Sequence, residues 1–147
     1  MKVNELNNLL ELFFERYKLQ DNNSIFLTPL SNNQKSFTWE ETKNYTLKLS
    51  KEISNINQKG DRCLLISENR PEWMISDLSI MLSGSITVPA YTTYVEKDYE
   101  YIINDCQPKV LIVSNQDQFS KIENILKKNT SIKKIISFED LKIDKDK

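Results

Sequence analysis

The 147 residues carry 20 Lys plus Arg, 21 Asp plus Glu and no histidine. A near-neutral, mixed charge leaves no electrostatic footprint for nucleic acid or an anionic membrane. Without histidine there is no Ser-His-Asp or Cys-His nucleophile within these residues, and the commonest zinc ligand is missing.

The opening run "MKVNELNNLLELFFERYKL" has acids inside its apolar stretch, so it does not read as a signal peptide. Leu6, Leu9, Leu10, Phe13 and Tyr17 follow helical spacing, which predicts an amphipathic helix over residues 4–19. "SIFL" and "SFTW" flank the turn-rich "TPLSNNQK" and read as a hairpin. Thr38 and Glu41 form a T-x-x-E capping box that starts a second helix, with Tyr45, Leu49, Ile53 and Ile56 as its expected inner face. Gly60 ends that unit, and "RCLLIS" reads as a strand covered on both faces.

"SENRPEW", residues 67–73, comes next. A residue before proline is pushed out of the helical region, and proline suits the first helical position. Glu72 then meets the positive end of the helix, and Asn69 can offer its side chain to the free amides. The stretch is a helix-start device, with Trp73 expected to be mostly buried, as core or as pocket wall. Gly84 supplies the stop of this helix. "SITVPAY" is a strand in which Pro89 marks an end, a bulge or an edge. Tyr99, Ile102, Ile103 and Cys106 give a further helix that stops before Pro108. "KVLIV" is a buried strand, Asn115 caps a helix that turns Phe119, Ile122, Ile125 and Leu126 inward, and "KKIISF" is a last strand.

The fold class is therefore α/β. A mainly parallel sheet from Arg62 onward carries helices on both faces, with an N-terminal helix–hairpin–helix packed on one side. The longest uncharged run, residues 78–95, contains Gly84 and Pro89 and does not span a membrane. Such sheets bind ligands at the C-terminal ends of their strands. Here those loops begin at Ser67, Ala90 and Ser114, and none is glycine-rich. "AYTTY", residues 90–94, is the best polar cluster among them; Tyr91, Thr92, Thr93 and Tyr94 line a pocket or, the favoured reading, form a turn whose hydroxyls bond local backbone. The acid pairs Glu40 with Glu41 and Glu139 with Asp140 read as solvated. Cys63 and Cys106 are far apart, lack a CxxC partner and read as reduced thiols of a cytosolic protein. On the residues alone no reaction is assigned.

Residues 60–115 nevertheless run in a specific order. G-D-R and an apolar strand precede S-E-N-R-P-E-W; then come T-V-P-A-Y-T-T, a Y-I-I-N-D helix and K-V-L. This series resembles the N-terminal segment of the AMP-forming acyl-CoA synthetases, and within them the long-chain fatty acid–CoA ligases of the adenylate-forming superfamily. The resemblance implies a two-step ligase that joins a fatty acid to CoA through an acyl-adenylate, with ATP, magnesium and CoA as cofactor and co-substrates. The family's phosphate loop, ribose-binding aspartate, hinge and catalytic lysine have no counterpart among these residues, so no catalytic, cofactor-binding or metal residue is carried over. The resemblance thus implies residues 1–138 as the N-terminal part of a synthetase domain, truncated and inactive alone, and residues 139–147 as a charged, disordered tail. The alternative is a self-standing, non-catalytic binding module of the same fold. Expected partners are fatty acid, ATP and CoA for the full-length family, with no nucleic acid and no transmembrane segment, and self-association through exposed fragment surface. Expected localisation is cytoplasmic, with peripheral membrane contact as an option.

Overall fold

A computed structural model of the chain describes residues 7–31 and 34–142. The first helix, α1 (Leu9–Leu19), starts where the Asn8 side chain accepts from the Glu11 amide. This is an N-cap the apolar spacing did not reveal, and residues 4–6 of the expected helix lie outside the described residues. Strands β1 (Ile25–Leu27) and β2 (Phe37–Thr38) pair antiparallel, as the hairpin reading expects. Phe13 of α1 packs with Phe26 and Trp39, the latter two stacked at 3.8 Å between ring centres. The hairpin is thereby fixed to the helices on either side.

Helix α2 (Trp39–Ser54) begins at the complete Thr38–Glu41 capping box. Its buried face differs from the expected one. Thr42, Thr46, Ser50 and Ile53 are buried, while Tyr45 is exposed and Leu49 and Ile56 are half-buried. The reason is its partner. α2 lies along α3 (Pro71–Leu82), which also buries Ser76 and Ser79, and small side chains let two helices approach closely. Thr42 and Ser79 donate their hydroxyls to carbonyls one turn back, at 2.8 and 2.5 Å, so burial leaves these two paired.

α3 begins with Pro71 at its first position, after an extended Arg70. The expected Asn69 cap is absent: no side chain caps this end, and Asn69 is exposed. Its other end is a Schellman turn. The Ser85 amide donates to the Ile80 carbonyl and the Gly84 amide to that of Met81, with Gly84 at φ 78°.

The main sheet comprises β3 (Arg62–Ile66), β4 (Ile86–Ala90), β5 (Val110–Val113) and β6 (Lys134–Ser137). Their order is β4-β3-β5-β6, every pair parallel. Cys63, Leu65, Val110 and Ile112 face Ile53 and Ile80 of α2 and α3. Leu64, Ile66, Leu111 and Val113 face Tyr99 and Ile103 of α4 (Glu96–Cys106), together with Phe119, Ile122 and Ile125. Helices thus cover both faces, and β3 and β5 have no solvent side. Each fully buried aliphatic here contributes roughly 1.5–3 kcal/mol. The expected last helix is two short ones, α5 (Gln116–Ser120), capped by Asn115, and α6 (Glu123–Leu126).

Residues 139–142 are anchored. Glu139 pairs with Arg70, Leu141 packs on the α4 side of the core, and the Lys142 amide donates to Gln116. Residues 143–147 of the expected tail lie outside the described residues.

Candidate functional site

The chain passes from β3 outward to β4 on one side, then returns to β5 on the other, so the strand order switches between β3 and β5. A crevice outside the C-terminal ends of those two strands is the usual ligand position in such sheets. Here side chains close it. Gln118, buried at the start of α5, donates to Glu68 Oε1 at 2.8 Å and accepts from Lys121 Nζ at 3.2 Å. Lys121 also donates to the Thr92 carbonyl. One amide and one ammonium thus tie together the loops that follow β3, β4 and β5. Neither residue was singled out from the sequence, because nothing local marks Gln118 or Lys121.

The open cleft lies one strand over, above β3 and β4. It measures about 480 Å³, and Ser67, Glu68, Trp73, Pro89, Tyr91 and Thr92 are among its walls. Trp73 is half-buried: it touches the α2–α3 side of the core and also forms part of the cleft wall. Both placements expected of it, core and pocket wall, are present, but the expected burial is only half met, since α3 sets it at the mouth of the sheet. The "AYTTY" loop meets only one of its two readings: Tyr91 and Thr92 line the cleft, while among the described residues none of the loop's own hydroxyls bonds local backbone. Its backbone is tied down instead by a Tyr99 hydroxyl donating to the Tyr91 carbonyl at 2.7 Å. Burial, with Asp98, Glu68 and Tyr94 nearby, pushes the Tyr99 phenol up to about 12, so it keeps the proton it donates. Tyr91 itself is 72% exposed and stands edge-on to Tyr94.

Glu68 is the one acid of the cleft wall. Burial raises its pKa, but the adjacent Ser114 hydroxyl, its own backbone amide, Gln118 and Asn115 outweigh this and hold it below the ordinary value of 4.5. Ser114 Oγ itself is buried and makes no hydrogen bond of ordinary geometry. Three of the four acids of the two pairs have partners at the surface: Glu40 accepts from Tyr17 and Lys43, Glu41 from Lys35 and Thr38, and Glu139 from Arg70, while Asp140 is exposed.

These residues do not fit the phosphates of a nucleotide or their metal. Gly60 and Gly84 sit together at the opposite end of the strands, where the Gly60 amide donates to the Gly84 carbonyl at 2.9 Å. An ionised Glu68 in the cleft repels phosphate, and no cluster of three metal-ligating side chains occurs among the described residues. What the cleft offers is a half-apolar wall with a fixed carboxylate. Neither cysteine is among the residues that line the cleft, and burial raises both thiols, Cys63 to about 11, which disfavours the reactive thiolate.

Among described residues no helix is long and apolar enough to cross a membrane. Fatty acyl-CoA synthetase A of Dictyostelium discoideum is 36% identical over 84 residues, covering 56% of this chain and 12% of that protein. Long chain acyl-CoA synthetase 3 of Arabidopsis thaliana is 34% identical over 104 residues, 69% of this chain and 15% of that protein. The chain thus matches well under a fifth of the length of these relatives. The fold is that of the anthranilate CoA ligase AuaEII solved with anthranoyl-AMP, with a TM-score of 0.78 and 24% identity over 93% of this chain and 26% of that one. The family model described as AMP-binding enzyme matches residues 14–147, and the chain belongs to that family.

Proposed function

We propose that these residues supply the N-terminal sheet and one substrate-facing wall of a long-chain fatty acid–CoA ligase. The reaction is fatty acid plus ATP plus CoA to acyl-CoA, AMP and pyrophosphate, with magnesium accompanying the ATP. The observation that carries this reading is the pair of fatty acyl-CoA synthetases among the relatives. The half-apolar cleft above β3 and β4 supports it, because its walls suit an acyl or pantetheine-like chain better than a phosphate. No phosphate or metal step is assigned to this chain's own residues. Residues 1–138 are proposed to form the N-terminal part of the synthetase domain, and residues 1–147 by themselves are proposed to be inactive. The protein is proposed to act in the cytoplasm.

The test follows the reading frame of the gene through Lys147 and expresses whatever it encodes. The expected product releases pyrophosphate in proportion to added palmitate and then forms palmitoyl-CoA. Residues 1–147 alone should release none. A reading frame that stops at Lys147, with a well-folded product that binds a partner, would favour the self-standing module. Pyrophosphate release by clean residues 1–147 would overturn the division of labour.

A further inference from the structure

The turn that follows β4 is held from outside itself. Its Tyr94 amide donates to the Tyr91 carbonyl at 3.2 Å, and the hydroxyls of the turn add nothing to that bond. Two successive carbonyls of the turn are instead taken by side chains from distant elements. Tyr99, in α4, donates to the Tyr91 carbonyl at 2.7 Å, and Lys121, at the C-cap of α5, donates to the Thr92 carbonyl.

A lysine ammonium is strongly hydrated and ordinarily stays in water or meets a carboxylate. Among the described residues no carboxylate pairs with Lys121. Its ammonium turns inward, part-buried, to a carbonyl 29 residues earlier and to Gln118 Oε1 at 3.2 Å. Gln118 cannot drift. It is 6% exposed, its side-chain amide is spent on Glu68 at 2.8 Å, and its backbone amide donates to the Asn115 side chain at 3.1 Å. The anchor therefore rests on the fully buried β5, which leads into α5 through Ser114 and Asn115. Fixing two successive carbonyls fixes both backbone torsions of the residue between them, Thr92, since each peptide unit is planar. That sets the direction in which the Thr92 side chain leaves the turn beside Tyr91, and both residues line the cleft. Tyr91 is 72% exposed, so packing does little to hold it in place.

We infer that Lys121 is a positioning residue of the cleft: through the Thr92 carbonyl it holds the wall of Tyr91 and Thr92 in the shape that substrate meets. Its effect on substrate rests on the ligase reading, whereas its hold on the turn does not. Every contact used runs between described residues, within one fold.

Two measurements on the protein encoded through Lys147 test it, for wild type, Lys121→Met and Lys121→Arg. Methionine keeps most of the side chain and loses the donor; arginine keeps a charged donor. Hydrogen exchange read by mass spectrometry follows the turn through the Tyr94 amide. Exchange should be about tenfold faster in Lys121→Met, for the loss of one hydrogen bond from a charged donor, and return toward wild type in Lys121→Arg. Steady-state kinetics follow the wall. Lys121→Met should raise the KM for palmitate or CoA about fivefold or more, for the same substrate whose KM Tyr91→Ala raises, with kcat and the KM for ATP unchanged. Adding Tyr91→Ala to Lys121→Met should then add little, because both act on one wall. Should methionine unfold the protein, Lys121→Gln, too short to reach the carbonyl, takes its place. Unchanged exchange in the folded variant overturns the inference. So does an unaltered KM at a lowered unfolding midpoint, the mark of a residue that only stabilises. A wild type without palmitate-dependent AMP release counts against the ligase reading alone, and exchange then decides the inference by itself.

Discussion

Arg70 joins the start of α3 to the far edge of the sheet, and its removal should be costly. Its side chain is only 8% exposed. Two of its nitrogens grip Glu72 at 2.9 and 3.0 Å, a third meets Glu139 at 2.7 Å, and the guanidinium lies over the Phe138 ring at 5.4 Å. Breaking a fully buried pair costs about 3–5 kcal/mol, because one charge is left without a partner. Here the orphan, Glu72, is 21% exposed and sits in the first turn of a helix whose dipole favours it. Glu139 is 54% exposed and adds less than about 1 kcal/mol. Arg70→Ala should therefore cost about 2–3 kcal/mol, including the lost packing on Phe138. Arg70→Lys should recover the charge but not the fork, and cost about 1–2 kcal/mol. Urea unfolding at neutral pH measures both, read from the midpoint at constant slope. In a double-mutant cycle Arg70 should couple to Glu72 at least twice as strongly as to Glu139. An Arg70→Ala loss below about 0.5 kcal/mol, or equal coupling to the two acids, would refute this account of the clamp.

Three further outcomes follow from other parts of the molecule. Thr38→Ala removes the oxygen that accepts from the Glu41 amide at 3.1 Å and should cost about 1 kcal/mol in the same urea assay, with Thr38→Ser nearly neutral. In the native protein iodoacetamide at pH 8 should label half-buried Cys106 before fully buried Cys63, and mass spectrometry of timed samples would show Cys63 reacting only as the chain unfolds. Glu68 has its pKa held below 4.5 in the fold, so the folded state binds fewer protons than the unfolded one. Its contribution is complete above about pH 5 and lost as pH falls through the folded value; Glu68→Gln should therefore flatten part of the acid limb of stability against pH, and an unchanged limb would contradict it.

Much of the fold was legible because its signals are local. The Thr38–Glu41 box, Pro71 at the first helical position and Gly84 in the left-handed turn each act within a few residues. Alternating strands and helices after Arg62 led directly to the parallel sheet. The inner face of α2 was misread because apolar spacing points to Tyr45 and Leu49, whereas small hydroxyl side chains at Thr42, Thr46 and Ser50 fit the close approach of α3. The site was legible only in part. Strand ends at Ser67 and Ala90 were the expected place for a cleft, and adjacency of β3 and β4 joins them. The bonds that hold the loops span tens of residues: Gln118 to Glu68, Lys121 to Thr92, Arg70 to Glu139. No local pattern encodes such partners. Asn69 was assigned a cap by residue type, but the extended Arg70 before Pro71 stands between it and the helix.

The cleft wall is tested most directly at Tyr91, whose side chain can be removed without touching the core. The measurement is palmitate- and CoA-dependent AMP release by the protein encoded through Lys147, for wild type and Tyr91→Ala. The account predicts release that requires both substrates, and a kcat/KM lowered about fivefold or more in Tyr91→Ala at an unchanged unfolding midpoint. No palmitate-dependent release from the wild type would contradict the ligase reading, and identical kinetics for the two would contradict the placement of substrate against this wall.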